Sequence, residues 1–491
     1  MQNQSSIKAD SVKKNFIYQS SYQILSIILP FITAPYISRV LGSVGTGIYS
    51  YVNSVMYFFL MVANLGISNY GNREIASCIN DKERLSKRFL SIYLCHAIIS
   101  FGCVLAYLIY IFFFAKNYKD IFMWQIIQLF ATLLDITWFF SGIQKFKITV
   151  TRNFIIRIIS VFAIFILIKK QSDVWKYILI LSVGNLLGQV VVWTQMKQYI
   201  VSVPISIKDI TKHIKPLLIL FVPILAMSIY RYMDKVMIEG LSNISEVGLY
   251  ENSEKIVALP LSLITTIGVV LLPKMSSIAS SGQSKEASRY FNLSMKYSMI
   301  IAFGLTAGLM GISPVFAPVF FGEDFRACGN LIPLLSVTVL FLTISNSIRS
   351  QYLIPNKMDK AFIVAAFSGA IVNLIINIIL IPKYGAKGAV IATIITELIV
   401  TIIHILFTYK KLQFSIILKT SMPFIAPAIV MMICVRLLGN HLKECILTIV
   451  IQVLCGAILY LLSTCIILKL QKDTYYLSSF NAIKAKIRLN R

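Results

Sequence analysis

Long uninterrupted apolar runs constrain this chain more than any other feature of its sequence. Residues 97–115, 214–230 and 445–468 each approach the length of about twenty residues that a helix needs to cross the ~30 Å hydrocarbon layer of a bilayer. Inside a bilayer the backbone polar groups must be satisfied within the chain, so only helices and closed barrels can cross it. Barrel strands alternate apolar and polar residues, and these runs do not. The runs therefore predict an all-α integral membrane protein.

Composition supports this fold class. Of the 491 residues, 57% are hydrophobic and 13% are charged, against about 45–50% and about 25% in soluble globular chains. We predict fourteen transmembrane helices. They cover residues 16–38, 46–68, 89–114, 121–141, 150–168, 175–196, 214–236, 248–272, 293–320, 330–350, 361–381, 385–408, 421–438 and 444–468. Their short connections leave no room for a soluble domain, and the sequence lacks the glycine loop of a nucleotide-binding motor. We therefore predict that the chain is not an enzyme and uses no cofactor and no metal.

The positions of the basic residues predict the orientation. With the N-terminus in the cytoplasm, the inner segments hold 30 of the 46 Lys and Arg residues and the outer loops hold 12, while four lie in or beside spans. Cytoplasmic loops carry such an excess in membrane proteins. This predicts a multi-pass protein with both termini cytoplasmic. The net charge of +26 is then an orientation signal, and it does not call for a nucleic-acid partner.

A short internal repeat predicts two similar halves. Residues 36–40 (YISRV) and 47–50 (GIYS) match residues 232–236 (YMDKV) and 248–251 (GLYE). The match shifts the chain by six spans, and an even shift preserves orientation across the bilayer. It predicts two parallel six-helix lobes with a cleft between them. The predicted domains are 1–200 and 201–412 for the lobes, and 413–491 for helices 13 and 14 with a basic cytoplasmic tail.

Charged residues within the spans point to function, because each costs about 2.5–3.5 kcal/mol at the centre of a membrane helix. Asp135 and Glu397 lie deep in their spans without a close partner in sequence. We predict a functional role for both, or a pair across helices that function needs. Arg349 lies near a span end, where its side chain could instead extend to the lipid head groups.

Two groups of charges near span ends allow a purely structural interpretation. Arg231 and Asp234 are three residues apart, and Glu251 and Lys255 are four apart. Charges at these spacings meet on one helix face and can form ion pairs within the helix. The sequence leaves both the structural and the functional interpretation open.

Four stretches resemble a known family. They are residues 71–76 (GNREIA), 135–147 (DITWFFSGIQKFK), 246–255 (EVGLYENSEK) and 381–389 (IPKYGAKGA), the last leading to Thr396 and Glu397. They resemble the Wzx-type polysaccharide repeat-unit flippases of the MOP (multidrug/oligosaccharidyl-lipid/polysaccharide) exporter superfamily. The second stretch is the most specific, and it departs from the family at Gln144, where a glutamate is frequent.

The resemblance implies a fold and a function. The fold would be MATE-like, with two lobes that open alternately and two additional C-terminal helices. The function would be to move undecaprenyl-pyrophosphate-linked oligosaccharide repeat units from the inner to the outer leaflet of the bacterial cytoplasmic membrane, for capsule, O-antigen or exopolysaccharide assembly. Membrane lipids would surround the chain. Glycosyltransferases and the repeat-unit polymerase would be partners in a loose complex.

Such a substrate dictates the expected site. A lipid pyrophosphate carries about two negative charges, and arginine binds phosphate oxygens in pairs. We therefore predict that basic residues from both halves bind the substrate: Arg39, Arg157, Arg231, Lys235 and Arg349. The candidates for coupling transport to an ion are acidic: Asp135, Glu251, Glu254 and Glu397.

Three alternatives to a flippase differ from it in substrate or in functional class. A drug/cation antiporter of the same superfamily would have an acidic cleft. A membrane-bound repeat-unit polymerase would have a long loop outside the membrane, which this sequence lacks. A purely structural scaffold would leave the deep charges in both halves without an explanation.

Overall fold

The computed structural model describes residues 12–281 and 283–478, and all regular structure within these ranges is helical. The predicted all-α fold class is therefore confirmed. By its internal contacts the chain forms two compact units, Met1–Glu251 and Asn252–Arg491.

The predicted domains 1–200, 201–412 and 413–491 were drawn from the internal repeat. The two compact units are defined by contacts, so they do not test these boundaries, which stay a prediction. The basic tail over 479–491 lies outside the described residues, as does the start of the N-terminal segment.

The first unit, in its described residues, contains nine α-helices and the beginning of a tenth. They are α1 (Val12–Asn64), α2 (Ile67–Ala76), α3 (Lys82–Ile109), α4 (Lys119–Leu133), α5 (Thr137–Gly142), α6 (Phe146–Leu167), α7 (Val174–Thr194), α8 (Ile207–Thr211), α9 (Ile214–Leu241) and α10 (Ile244–Ser280). Helix α10 continues into the second unit.

The second unit adds eight helices of the described part. They are α11 (Ser284–Phe321), α12 (Cys328–Ser336), α13 (Thr338–Ile348), α14 (Asp359–Tyr384), α15 (Ala386–Thr408), α16 (Phe414–Ser421), α17 (Ile425–His441) and α18 (Ile446–Leu470).

Helix α1 contains the first two predicted spans. Gly42 interrupts it with φ +66° and ψ −175°, which is not helical. Side chains other than glycine's rarely adopt this positive φ. The bend therefore falls between the predicted spans 16–38 and 46–68, and it turns one long helix into two membrane-crossing segments.

Large apolar side chains cover the outside of the helices. Phe113, Ile446 and Leu470 are 80%, 71% and 76% exposed, which suits lipid and not water. Twelve helical stretches of the described residues are long and apolar enough to cross a membrane. One of them, Ile28–Ala76, includes the predicted span 46–68 and the end of the predicted span 16–38, and α9 is not among the twelve. A multi-pass membrane protein is confirmed, while the count of fourteen stays a prediction.

Aromatic side chains form the buried core at one end of the first unit. Phe89, Trp138 and Phe139 are almost fully buried, and the centroids of the Phe89 and Phe139 rings are 4.9 Å apart. This core holds the turn between α4 and α5, where the indole N–H of Trp138 donates to the carbonyl of Asp135 at 3.2 Å. The indole of Trp193 donates to the carbonyl of Leu134 at 2.8 Å.

Candidate substrate cavity and helix crossing

A polar cavity of about 370 Å³ lies in the first unit, among helices whose outer faces are apolar. We call it the amide cavity, because five amide side chains and one carboxylate line it: Asn64, Asn69, Gln128, Asn185, Gln189 and Asp135. Tyr57, Leu60 and Met61 contribute an aromatic and apolar wall. Polar groups within membrane segments are costly and generally line a ligand path or a water-filled space.

Local structure fixes the orientation of Asp135 in this cavity. One carboxylate oxygen, Oδ1, accepts the Thr137 backbone N–H at 2.8 Å and the Thr137 hydroxyl at 2.6 Å. An aspartate that accepts from the backbone two residues later caps a turn. The described residues donate no hydrogen bond to Oδ2. This second oxygen is therefore available as an acceptor.

A buried arginine orients Gln189. The guanidinium of Arg152 donates from Nη1 to the Oε1 of Gln189 at 3.2 Å, and from Nη2 to the Oδ1 of Asn153 at 2.5 Å. Arg152 is 9% exposed. Guanidinium has no acceptor, so the carbonyl end of the Gln189 amide must face it. The NH₂ end of Gln189 is then directed away from Arg152.

Two further amides hydrogen-bond to each other across the cavity wall. The Nδ2 of Asn185, on α7, donates to the Oε1 of Gln128, on α4, at 2.8 Å. Helices α4 and α7 pack directly against each other. This contact joins the two helices at the depth of the cavity.

A second polar cluster lies where the segment after Gly42 meets the start of α10. A Cβ at Gly47 would overlap the carbonyl oxygen of Ile244, and one at Gly248 would overlap that of Ser43. The two backbones therefore touch with no side chain between them. We call this contact the glycine crossing.

Hydrogen bonds close the glycine crossing on both sides. The hydroxyls of Ser43 and Ser245 are 2.7 Å apart. The Nζ of Lys235 is 2.6 Å from Oε2 of Glu251, and Ser50 donates to that same oxygen at 2.7 Å. Lys235 and Glu251 are 7% and 9% exposed. Glu251 thus pairs across helices, in addition to any contact within its own helix.

Asp234, next to Lys235 in the chain, is also buried and hydrogen-bonded. It is 2% exposed and accepts the hydroxyl of Tyr250 at 2.7 Å. Two residues earlier on α9, the ring of Tyr232 stacks on that of Tyr57, with centroids 3.6 Å apart. The predicted residues Lys235 and Glu251 are therefore brought together at the crossing, while Asp135 lines the amide cavity.

Three other predicted residues of the first unit do not line the amide cavity. Arg39 and Arg231 are exposed, and Arg157 is half-buried. None of these three is among the described residues that line the amide cavity. Their role in substrate binding stays a prediction.

The predicted residues of the second unit lie on three different helical segments. Arg349 follows α13, with its guanidinium carbon 5.5 Å from the ring centroid of Phe362. Glu254 is half-buried on α10, and Glu397 is 4% exposed on α15. Their roles in substrate binding and ion coupling also stay predictions.

Sequence reasoning missed most of the amide cavity. It searched the spans for charges, whereas the lining is mainly neutral. A usable signal was present, since Gln125 and Gln128 in α4 and Asn185 and Gln189 in α7 repeat at helical spacing within apolar runs. Arg152, near the start of α6, is also part of this polar group, since it is buried against Gln189.

The chain just before α9 contains a buried histidine. His213 is fully buried between the hydroxyl of Tyr70, 2.7 Å from Nδ1, and that of Ser91, 3.0 Å from Nε2. Burial, together with the positive charges of Lys212 and Arg88, lowers the pKa of His213 to about 4. The imidazole is therefore neutral in the folded protein at physiological pH.

A bundle of apolar helices around a polar cavity is the architecture of a multi-pass membrane transporter. The sequence profile of a family described as "Polysaccharide biosynthesis protein" matches residues 12–279. Because this is more than half of the chain, the protein belongs to that family. The resemblance seen in the sequence is thereby confirmed.

Known proteins agree with this assignment. A candidate O-antigen transporter of Shigella dysenteriae is 23% identical over 413 residues, which cover 82% of this chain and 100% of that protein. A solved structure of the lipid II flippase MurJ, inward closed, matches with a TM-score of 0.74 and 17% identity, over 92% of this chain and 99% of that one. An inward-facing MATE family multidrug transporter of the MOP superfamily matches with a TM-score of 0.61 and 13% identity, over 83% and 99%. The MATE-like fold is confirmed.

Proposed function

We propose that this protein is a flippase for a lipid-pyrophosphate-linked oligosaccharide repeat unit. It would move this unit from the inner to the outer leaflet of the bacterial cytoplasmic membrane by alternating access, for assembly of a capsule, O-antigen or exopolysaccharide. The amide cavity carries this proposal, because hydrogen-bonding groups inside an apolar bundle are what a glycan needs on its way across a bilayer. The family and its O-antigen-transporting and lipid-II-flipping relatives support it.

In this mechanism the glycine crossing is a gate. A transporter with alternating access must open each side in turn, and the crossing holds two segments in backbone contact. Its ion pair between Lys235 and Glu251 is buried. Breaking a buried pair without new partners costs about 3–5 kcal/mol, so substrate or ions must supply new partners when the gate opens. Lys235 is the predicted anion-binding residue best placed to exchange a carboxylate for a phosphate.

The direction of transport has two possible energy sources. An inside-negative potential favours outward movement of an anion by about 2.3 kcal/mol per charge per 100 mV. Ion coupling through Asp135, Glu251, Glu254 or Glu397 would add to it. The chain would act with both termini in the cytoplasm and in a loose complex with glycosyltransferases and a polymerase.

One observation favours a second candidate, a drug/cation antiporter. The described residues that line the amide cavity include the carboxylate of Asp135 and no Lys or Arg, a charge balance that also suits an organic cation. The MATE fold occurs in multidrug transporters. The two candidates therefore require a direct comparison.

The test is flipping in liposomes. Purified protein would be reconstituted with undecaprenyl-pyrophosphate-linked oligosaccharide, and exposure of the glycan to an external glycosidase would be measured against protein-free liposomes. We expect protein-dependent exposure. We expect Lys235→Met with Glu251→Gln, which leaves no buried charge without its partner, to abolish it in a protein that stays folded. Arg231→Ala tests the exposed predicted cation in the same way. Exposure equal to that of empty liposomes, together with uptake of a cationic dye against a proton gradient, would establish the antiporter instead.

A further inference from the structure

We propose that the amide cavity is a subsite for an uncharged sugar of the transported glycan, and that it excludes acidic sugars and the pyrophosphate itself. This inference rests on the proposed function, since it names the part of that substrate which this cavity takes. Hydroxyl and acetamido groups are the chemistry that the lining recognises.

The first element is a fixed donor. Arg152 holds the carbonyl of Gln189, at 3.2 Å, and cannot accept a hydrogen bond itself. The NH₂ group of Gln189 therefore belongs to the cavity that this residue lines. The assignment does not depend on distinguishing nitrogen from oxygen in the amide, because only the carbonyl can face a guanidinium.

The second element is a fixed acceptor. Oδ1 of Asp135 takes both donors of Thr137, which leaves Oδ2 of this lining residue without a donor among the described residues. A carboxylate accepts from hydroxyl groups with short and strong hydrogen bonds. Gln189 thus supplies a hydrogen-bond donor and Asp135 an acceptor, and their hydrogen bonds to Arg152 and Thr137 fix these roles.

The third element is the amide pair of Asn185 and Gln128. One N–H···O bond between two amides leaves one carbonyl and one NH₂ group unused, whichever of the two residues donates. The pair therefore adds another acceptor and another donor. A sugar ring carries neighbouring hydroxyls that both donate and accept, and an acetamido group carries one of each. The mixed lining matches this pattern.

The charge of the cavity determines what it rejects. Asp135 is the acidic group, and none of the described lining residues is Lys or Arg. Helix α2 begins beside the cavity, with Ser68 and Asn69 in its first turn. A helix N-terminus is equivalent to about half a positive charge, so it does not offset the full charge of Asp135. A uronic acid or a phosphate would lie near the carboxylate of Asp135, with no Lys or Arg among the described lining residues to pair with it.

Size and position agree with a subsite and not with a site for the whole substrate. The volume of about 370 Å³ falls at the lower end of the ~300–1,000 Å³ of small-molecule pockets. It has room for a sugar ring but not for an entire lipid-linked oligosaccharide. Asn64 ends α1 and Asp135 follows the end of α4, so the cavity lies toward the end of the unit that the orientation prediction assigns to the cytoplasm.

Two isosteric variants test the polarity of the lining. Gln189→Glu keeps an acceptor for Arg152 and replaces the NH₂ donor by an oxygen. Asp135→Asn keeps an acceptor for Thr137 and replaces the free oxygen by a donor, without the negative charge. The exposed Gln198 gives a matched control, Gln198→Glu. Thermal unfolding and size-exclusion profiles confirm that each variant is folded.

The probes differ only in the sugar. One is undecaprenyl pyrophosphate carrying N,N′-diacetylchitobiose, and the other carries a disaccharide that ends in glucuronic acid. Proteoliposomes would be loaded with either probe, and the glycan released by external β-hexosaminidase or β-glucuronidase would be followed with time.

We expect the wild type to flip the neutral probe about ten-fold faster than the acidic one. Gln189→Glu should slow the neutral probe by about ten-fold, the equivalent of about 1.4 kcal/mol. Asp135→Asn should slow the neutral probe and also reduce the preference for neutral over acidic sugar, a change that a merely structural role would not produce. Gln198→Glu should behave as the wild type.

The outcomes separate the two proposals. If the wild type flips the neutral probe and both variants match it in rate and preference, the subsite is overturned and the flippase stands. Equal flipping of neutral and acidic probes by the wild type also overturns the subsite alone. If the wild type moves neither probe beyond empty liposomes, the proposed function fails, and the subsite with it.

Discussion

His213 is held by groups from several elements. Tyr70 and Ser91 bond its ring nitrogens, and the charges acting on it are Lys212 and Arg88, which lower its pKa, and Asp209, which raises it. Burial is the largest cause and brings the pKa to about 4, below the ordinary value of 6.5. Protonation would therefore disrupt this contact between α2, α3 and α9.

The first prediction concerns stability against pH. Above pH 6.5 the ring is neutral in both the folded and the unfolded chain, so it contributes no pH dependence. Between about pH 6.5 and 4 the unfolded chain takes up a proton and the folded protein does not, so stability falls as the pH falls. The loss should approach about 3 kcal/mol. Thermal unfolding of the detergent-solubilised protein from pH 8 to 4 measures it.

Two glutamine variants make this prediction specific. His213→Gln can still donate and accept but does not titrate, so it should remove most of the loss between pH 6.5 and 4. His441→Gln at an exposed position should not. An unchanged pH profile in His213→Gln would show that another group governs acid stability.

His96 gives a second prediction at this scale. Its ring is 1% exposed, and neither nitrogen has a hydrogen-bond partner among the described residues. An unpaired buried polar group costs about 1–3 kcal/mol, so His96→Leu should leave the melting temperature unchanged or raise it. His404→Leu is the contrast, because it removes a 2.8 Å contact between Nδ1 and Ser345 and should lower it.

Flipping by these variants would add information about mechanism. The charge of Asp135 acts on His96. A stable His96→Leu protein that flips slowly would place His96 in the ion-coupling path with Asp135. A marked loss of stability would instead reveal a partner for the ring in the folded protein.

Residues divide clearly into those that the sequence identifies and those that it does not. Asp135 is identifiable because a lone charge in an apolar run is costly wherever it lies. Gln189 gives a weaker signal, only its helical spacing from Asn185, since a neutral amide costs less and many positions tolerate it. The partner of Glu251 is also beyond the sequence, because Lys255 is near in the chain whereas Lys235 is near in space.

The glycine crossing is the element whose movement the proposed mechanism requires. The third prediction is that a disulfide across it blocks flipping. Ser43 and Ser245 have hydroxyls 2.7 Å apart, so Ser43→Cys with Ser245→Cys should crosslink under mild oxidation. Flipping should then fall to the level of empty liposomes and return with a reductant. Mass spectrometry of the crosslinked peptide and the glycosidase assay measure the two events.

The controls for this experiment are the single variants Ser43→Cys and Ser245→Cys. They should flip normally with and without oxidant, in a background whose native cysteines are replaced. A crosslinked double variant that flips at the normal rate would show that the crossing stays closed throughout transport.

The sequence predicts those helices whose composition is set by contact with lipid. Apolar runs located most helices, because a spanning helix must be apolar along its length. The apolar pattern places the bend at Gly42 only within the gap between two predicted spans, since a backbone angle leaves no mark on hydrophobicity.

At the scale of the whole molecule, the fourth prediction concerns the driving force. The pyrophosphate carries about two charges, so an inside-negative potential of 100 mV favours its outward movement by about 4.6 kcal/mol. Outward flipping should accelerate with a potassium diffusion potential of that sign and slow with the opposite sign. Proteoliposomes with valinomycin and the glycosidase assay measure this rate.

Transport that is coupled to an ion gradient should respond differently from transport that the membrane potential drives. A rate that ignores the potential but follows a proton or sodium gradient would assign the driving force to the acidic residues. Variants Glu397→Gln and Glu254→Gln would then identify which carboxylate couples. A rate indifferent to both gradients would exclude ion coupling.

The closed Lys235–Glu251 pair is electrically neutral, so a membrane field exerts little net force on it. Opening the crossing separates a positive from a negative group, and each then moves in the field on its own. The protein would therefore carry a gating charge of its own, apart from the charge of its cargo. A brief displacement current should follow a voltage step even without substrate, and it should vanish when both residues are replaced by neutral ones.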